Sequence, residues 1–191
     1  MIISVEGCIA SGKSTTARML ARTLSYSVLL EDTAAHPILS RFYSQPADFG
    51  LETELIFLVL RFHWLMRVDR TDSLVTDFSF GTGLAFARMN LLGADLAVFE
   101  KLHSGLRERL IKPDLAVFLD VPVEILLRRI QRRGRPYEQG IAPAYLDSLR
   151  KSYLDNLTQF ARSVRVVRVE PNDSPEGVAE KASLAVTSIH P

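Results

Sequence analysis

The chain has little of several things that would decide its class at once. One cysteine, Cys8, excludes an internal disulfide framework and leaves too few thiolates for a cysteine-built zinc site. Net charge is nearly missing as well. The 23 Lys and Arg almost cancel the 22 Asp and Glu, leaving +1, which argues against a general binder of nucleic acid or of a membrane surface. No apolar run approaches the roughly 20 residues of a membrane span, because Leu55–Leu60 is stopped by Arg61. The N-terminus enters a strand-like apolar stretch with no basic region and no small-residue cleavage site, so it does not read as a signal peptide. Internal repeats, low-complexity tracts and inter-domain linkers are lacking too. Against the roughly 150 residues of a typical domain, 191 residues with 47% hydrophobic content lead to the expectation of one domain over residues 1–191, soluble, reduced and cytoplasmic.

What is present alternates. Ile2–Glu6, Val28–Glu31, Leu74–Asp77, Leu115–Asp120 and Val164–Val169 are short, β-branched-rich apolar runs of strand length. Several are apolar at consecutive positions, as parallel strands covered on both faces require. Between them lie stretches with helical spacing: Leu51, Leu55, Leu58, Phe62 and Leu65; Ile125, Leu126 and Ile130; and Tyr145, Leu149, Tyr153, Leu157 and Phe160. A last helix is predicted from Ser174 as N-cap and Pro175 as first helical residue. Strands alternating with helices predict an α/β architecture of βαβ units with a parallel sheet.

The run Gly7-Cys8-Ile9-Ala10-Ser11-Gly12-Lys13-Ser14 fits G-x-x-x-x-G-K-[ST], directly after the first strand and directly before a helix-forming stretch, Thr15 to Leu24. Glycines let successive N–H groups of such a loop point at phosphate oxygens, and the helix that follows adds its positive end. On this reading Gly7, Ala10, Ser11, Gly12, Lys13, Ser14 and Thr15 cradle a polyphosphate, Lys13 reaches its terminal phosphates and the Ser14 hydroxyl ligates Mg²⁺. Cys8 holds a variable position and reads as a small filler. Such a loop identifies bound nucleotide and leaves the reaction open. Without a guanine-reading N-K-x-D-like run, small-molecule phosphotransfer from ATP is the economical choice.

That chemistry needs acids and a cationic cover. In an open parallel sheet the ligand crevice lies at the carboxyl ends of the strands, which places Glu31 and Asp77 at the crevice. Glu31 is the candidate general base, or else a solvated turn acid; Asp77 is the candidate Mg²⁺ partner. Eighteen of the 23 basic residues are Arg, and five lie within Arg128–Arg135. A solvated helix face would carry such a run. Beside a phosphate loop it reads instead as a lid over residues 129–140, with Arg129 and Arg133 at i and i+4 and Gly134 as a hinge before Arg135.

The stretch Arg129-Ile130-Gln131-Arg132-Arg133-Gly134-Arg135-Pro136-Tyr137-Glu138-Gln139-Gly140-Ile141, with Tyr145-Leu146 behind it, resembles the R-x-x-x-R-G-R-x-x-E lid of the deoxyribonucleoside kinases. The run His36–Tyr43, with Arg61 downstream, resembles the segment after the second strand in bacterial members, and the likeness extends from the phosphate loop to about Leu157. The resemblance implies a P-loop kinase fold with a five-stranded parallel sheet flanked by helices, and a homodimer. It implies Glu31 as base for a 5′-hydroxyl, Lys13 and Ser14 at phosphate and Mg²⁺, Arg129, Arg133 and Arg135 on the lid, and Tyr43 with Glu138 on the sugar 3′-hydroxyl.

Three positions depart from that pattern. Phe78 follows Asp77 where the family carries arginine, Glu54 stands at the position of a base-reading glutamine, and Gly83 replaces a second base-side aspartate. Ionised Glu only accepts hydrogen bonds, which suits the adjacent donors of guanine or an amine-bearing substrate. Arg61, seven residues after Glu54 on the same helix face, is expected to pair with it. Phe78, Glu54 and Arg61 therefore join Glu31, Tyr43 and Glu138 as substrate-side residues. The expected activity is ATP- and Mg²⁺-dependent phosphorylation of a nucleoside-like alcohol. A thymidylate-kinase-like acceptor site and a nucleotide-binding regulator without turnover are the alternatives.

Overall fold

Residues 1–188, except the side chain of Leu157, are described by a computed structural model. Leu157 as a member of the helical stripe therefore lies outside the described residues.

Five strands form an all-parallel sheet: β1 (Ile2–Gly7), β2 (Ser27–Leu29), β3 (Leu74–Thr76), β4 (Leu115–Asp120) and β5 (Ser163–Arg168), in spatial order β2-β3-β1-β4-β5. The chain reverses direction across the sheet beside β1, the crevice position of open α/β folds. All six residues of β1 are buried, as two-sided coverage demands, and β4 follows suit until Asp120. The edge strands β2 and β5 are only partly covered. The second and third strands stop earlier than their apolar runs suggest. Leu30 and Glu31 lie beyond β2, and the Glu31 N–H donates to Asp77 Oδ1 at 2.7 Å in place of a ladder partner.

Helices α1 (Lys13–Leu24), α6 (Val123–Arg133), α7 (Pro143–Asp155) and α9 (Pro175–Thr187) join β1 and β4 in the main core, which holds Ile3, Val5, Leu20, Val117, Leu126 and Tyr153. In α6 the residues Ile125, Leu126 and Ile130 face inward, so its arginines are left toward the crevice and solvent. Gly134, at φ 69°, ends α6 in a left-handed cap that a β-carbon would strain. The last helix starts as expected, with Ser174 Oγ accepting from the Gly177 N–H at 3.1 Å.

A second core lies among α3 (Pro46–Leu65), α4 (Phe80–Asn90) and α5 (Gly93–Arg107), around Leu58, Phe78, Leu84 and Phe99. Two short helices, α2 (Leu39–Ser44) and α8 (Leu157–Phe160), are the remaining α-helices among the described residues. No helix among the described residues is long and apolar enough to cross a membrane.

Candidate active site

The loop between β1 and α1 has the backbone that its glycines suggest. Gly7 adopts φ 149°, and a β-carbon there would come within 2.7 Å of Ser11 Oγ and 3.0 Å of the Leu119 carbonyl. Gly12 adopts φ 101° and Ala10 φ 62°, so two left-handed residues bend the loop into a concave run of amides. The Ser11 N–H donates to the Cys8 carbonyl at 3.1 Å, closing the turn. No acid occupies the first turn of α1, which leaves its positive end free for an anion. Lys13 Nζ lies across the loop, donating to the carbonyls of Gly7 at 2.9 Å and Cys8 at 3.0 Å. Burial pushes the Cys8 thiol up to about 12, which makes it an inert filler and no nucleophile.

The acids at the strand ends meet this loop. Asp77 Oδ2 accepts from Ser14 Oγ at 2.5 Å while Oδ1 accepts the Glu31 N–H, so one carboxylate ties the phosphate loop to the end of the second strand. Burial raises the Asp77 carboxyl above its ordinary value against the pull of Ser14, the Glu31 amide and Lys13. Glu31 Oε1 accepts from Arg61 Nε at 2.6 Å.

Two cavities open here. One, of about 180 Å³, is walled by Glu31, Tyr43, Glu54, Arg61, Glu138 and Tyr145. The other, of about 810 Å³, runs past the α1 N-terminus between Arg128, Arg129, Arg132 and the Asp173–Pro175 turn, and takes in Gly12 and Thr15. They share Ala10, Lys13, Ser14 and Arg133. The smaller, more enclosed space suits an organic acceptor and the larger, arginine-lined one suits a polyphosphate.

The lid arginines diverge. Arg129 Nη1 donates to the Ser11 carbonyl at 2.7 Å, clamping the phosphate loop. Arg133 and Arg135 both turn to Glu138, the latter at 3.3 Å, so the buried Glu138 gathers two guanidinium groups beside the acceptor cavity. Tyr43 lines the same cavity and packs on Tyr137 with ring centroids 5.4 Å apart. Burial and the nearby Tyr145 and Glu138 push its phenol far above the ordinary range, so it stays neutral and able to donate.

Two expectations need correction. Arg61 does not pair with Glu54: Glu54 Oε1 is taken by Asn90 Nδ2 at 2.6 Å, and Arg61 crosses to Glu31 instead. Phe78 does not reach the acceptor cavity. It is fully buried in the second core, edge-on to Trp64 with centroids 5.7 Å apart, because the chain turns inward after Asp77. Asn90 and Tyr145 belong to the site without having been singled out for it. The Tyr145 hydroxyl donates to Asn90 Oδ1 at 3.0 Å and so orients the amide toward Glu54. Neither lies in a spacing that signals this chain of contacts.

Glu54 carries a further consequence. Burial lifts its carboxyl from 4.5 to about 7, against the Asn90 hydrogen bond and the Arg61 charge. The folded protein then keeps a proton that the unfolded chain loses, so stability falls as pH rises from about 4.5 to about 7, by about 3 kcal/mol in all. Glu54→Gln removes that loss and can still accept from Asn90. Thermal melts should show Glu54→Gln about 5–10 °C above the parent at pH 8, with only a fraction of that gap at pH 5. An equal gap at both values would count against a buried, titrating Glu54.

Comparison with known proteins adds to this geometry. The sequence profile of the family "Deoxynucleoside kinase" matches residues 3–186. A deoxyguanosine kinase of Bacillus subtilis (strain 168) is 26% identical, over 98% of this chain and 94% of its own length. A deoxyguanosine kinase of Lactobacillus acidophilus is 30% identical, over 83% of this chain and 72% of its own. Among solved structures, a deoxyadenosine kinase from M. mycoides with bound dCTP superposes with a TM-score of 0.85 over 98% of this chain and 100% of that one, at 20% identity, which bears on the fold.

Proposed function

The chain belongs to the deoxynucleoside kinase family, and from that premise we propose that it transfers the γ-phosphoryl group of ATP to the 5′-hydroxyl of a deoxynucleoside or a nucleoside-like alcohol. The observation that carries this reading is the meeting of the two cavities at Lys13, Ser14 and Arg133, with Glu31 on the acceptor side. An acceptor hydroxyl placed beside Glu31 faces a phosphate held by the loop.

Glu31 Oε1 is engaged by Arg61, which leaves Oε2 to take the hydroxyl proton. The hydroxyl oxygen bonds to the γ-phosphorus while the bridging oxygen–phosphorus bond breaks, releasing ADP. Lys13 exchanges its loop carbonyls for phosphate oxygens, and Arg129 and Arg133 face the charge spread over the transferring group. Arg135 stays on the acceptor side, where it and Arg133 keep Glu138 directed at the sugar alongside Tyr43.

The Ser14 hydroxyl and Asp77 carboxylate are hard oxygen donors in mutual contact, and the burial penalty on Asp77 favours a cation beside it. They fit Mg²⁺, which when bound neutralises phosphate charge. The free oxygen of Glu31, at the end of the cavity that meets the phosphate loop, would repel an acceptor that already carried a phosphate there, which favours a neutral nucleoside over a nucleoside monophosphate.

The same reading carries a cytoplasmic location, where ATP is available, and a homodimer. Support for the latter comes from α3 and α5, which leave Val59, Val98 and Leu102 exposed, with Leu92 just before α5. Incubation with ATP, Mg²⁺ and a panel of nucleosides and nucleoside monophosphates, read by product mass, tests the acceptor class. Addition of one phosphate to a nucleoside is expected; diphosphates formed only from monophosphates would point to the thymidylate-kinase-like alternative.

A further inference from the structure

Arg61 lies in the wall of the acceptor cavity and is 2% exposed, a position where an unpaired guanidinium is strongly disfavoured. Its Nε donates to Glu31 Oε1 at 2.6 Å, and its guanidinium carbon stands 4.8 Å from the Phe57 ring centroid. Gly83 makes the room: a β-carbon there would approach Arg61 Nη1 to 3.2 Å. The other cations in the wall of this cavity are engaged elsewhere, as is Arg129 of the adjoining one. Lys13 lies on loop carbonyls, Arg129 on the Ser11 carbonyl, and Arg133 and Arg135 on Glu138. The residue after Asp77, which could have brought a charge from the strand end, is the core residue Phe78.

We propose that Arg61 is a positioning residue for phosphotransfer: reaching from α3, it fixes Oε1 of Glu31 so that Oε2 faces the acceptor hydroxyl. The proposal rests on the reading of Glu31 as the base. A carboxylate held at one oxygen by a charged donor loses rotational freedom about its last torsion, and its free oxygen points one way. Phe57 on one side and the room that Gly83 leaves for Nη1 on the other let the guanidinium lie where Glu31 needs it.

Steady-state kinetics on Arg61→Met, Arg61→Lys, Glu31→Gln and the two double variants test it. Arg61→Met should lower kcat by about 10²-fold, with KM for ATP within about twofold of the parent, and Arg61→Lys should recover part of the loss. Either Arg61 change added to Glu31→Gln should slow it by less than about threefold, because the group being positioned is already gone. ATP affinity, which the phosphate loop sets, reports folding. If Arg61→Met does not fold, Arg61→Lys with its double variant decides by the same criterion. A normal kcat with a raised nucleoside KM, or losses that multiply in the double variants, would overturn the proposal. A slow Glu31→Gln with a fast Arg61→Met removes the Arg61 role alone, whereas a fast Glu31→Gln removes the base assignment itself.

Discussion

Glu31→Gln keeps ATP binding and lowers kcat by about 10²-fold or more, the loss expected when a general base is replaced by an amide that cannot take a proton. The substitution is nearly isosteric. The backbone contact that places residue 31, its N–H to Asp77 Oδ1 at 2.7 Å, does not involve the side chain, and an amide oxygen can still accept from Arg61 Nε. What disappears is proton affinity at the atom facing the acceptor. Steady-state turnover and calorimetric titration with ATP separate the two effects. Turnover within about threefold of the parent would take Glu31 out of the mechanism.

Lys13→Ala should abolish phosphotransfer, with a fall of about 10³-fold or more in single-turnover rate at saturating ATP. Two contributions act together. The ammonium is the cation common to both cavities nearest the loop, so charge developing on the transferring group loses its main fixed partner. The same ammonium also holds the carbonyls of Gly7 and Cys8, so its removal loosens the loop that orients the amides. An undiminished rate would sink the phosphate-loop assignment.

These two residues were legible for the same reason: each is placed by its immediate neighbours in the chain. A strand, a glycine turn and a helix start lie in unbroken order around Lys13, and Glu31 ends the apolar run Val28–Leu30. The five strands were legible likewise as short apolar runs, most plainly in β4, where burial on both faces writes itself as the consecutive apolar residues Leu115–Leu119. Helix α4 was not. Gly81 and Gly83 in its first two turns are poor helix formers, and Gly81 is there because a β-carbon would come within 2.7 Å of the Phe160 ring.

The partners of the charged groups were the least legible part. Spacing on one helix face put Arg61 with Glu54, yet that spacing says nothing of Asn90, which arrives from α4 and occupies Glu54. With Glu54 engaged, Arg61 turns to a carboxylate 30 residues earlier in the chain. The pairing is set by how α3 and α4 pack beside the sheet, a tertiary fact that no local pattern encodes. Phe78 is similar. Its place after Asp77 suggested a substrate contact, but the inward turn of the chain commits it to the core beside Trp64.

The central claim is that a hydroxyl beside Glu31 receives the phosphate held at Lys13. The position of the phosphate in the product tests it most directly. With ATP, Mg²⁺ and the best acceptor from the nucleoside panel, ³¹P–¹H correlation spectra of the product should show phosphorus coupled to the two 5′-methylene protons. Coupling to a 3′-methine proton, or γ-phosphate appearing only as inorganic phosphate, would contradict the account.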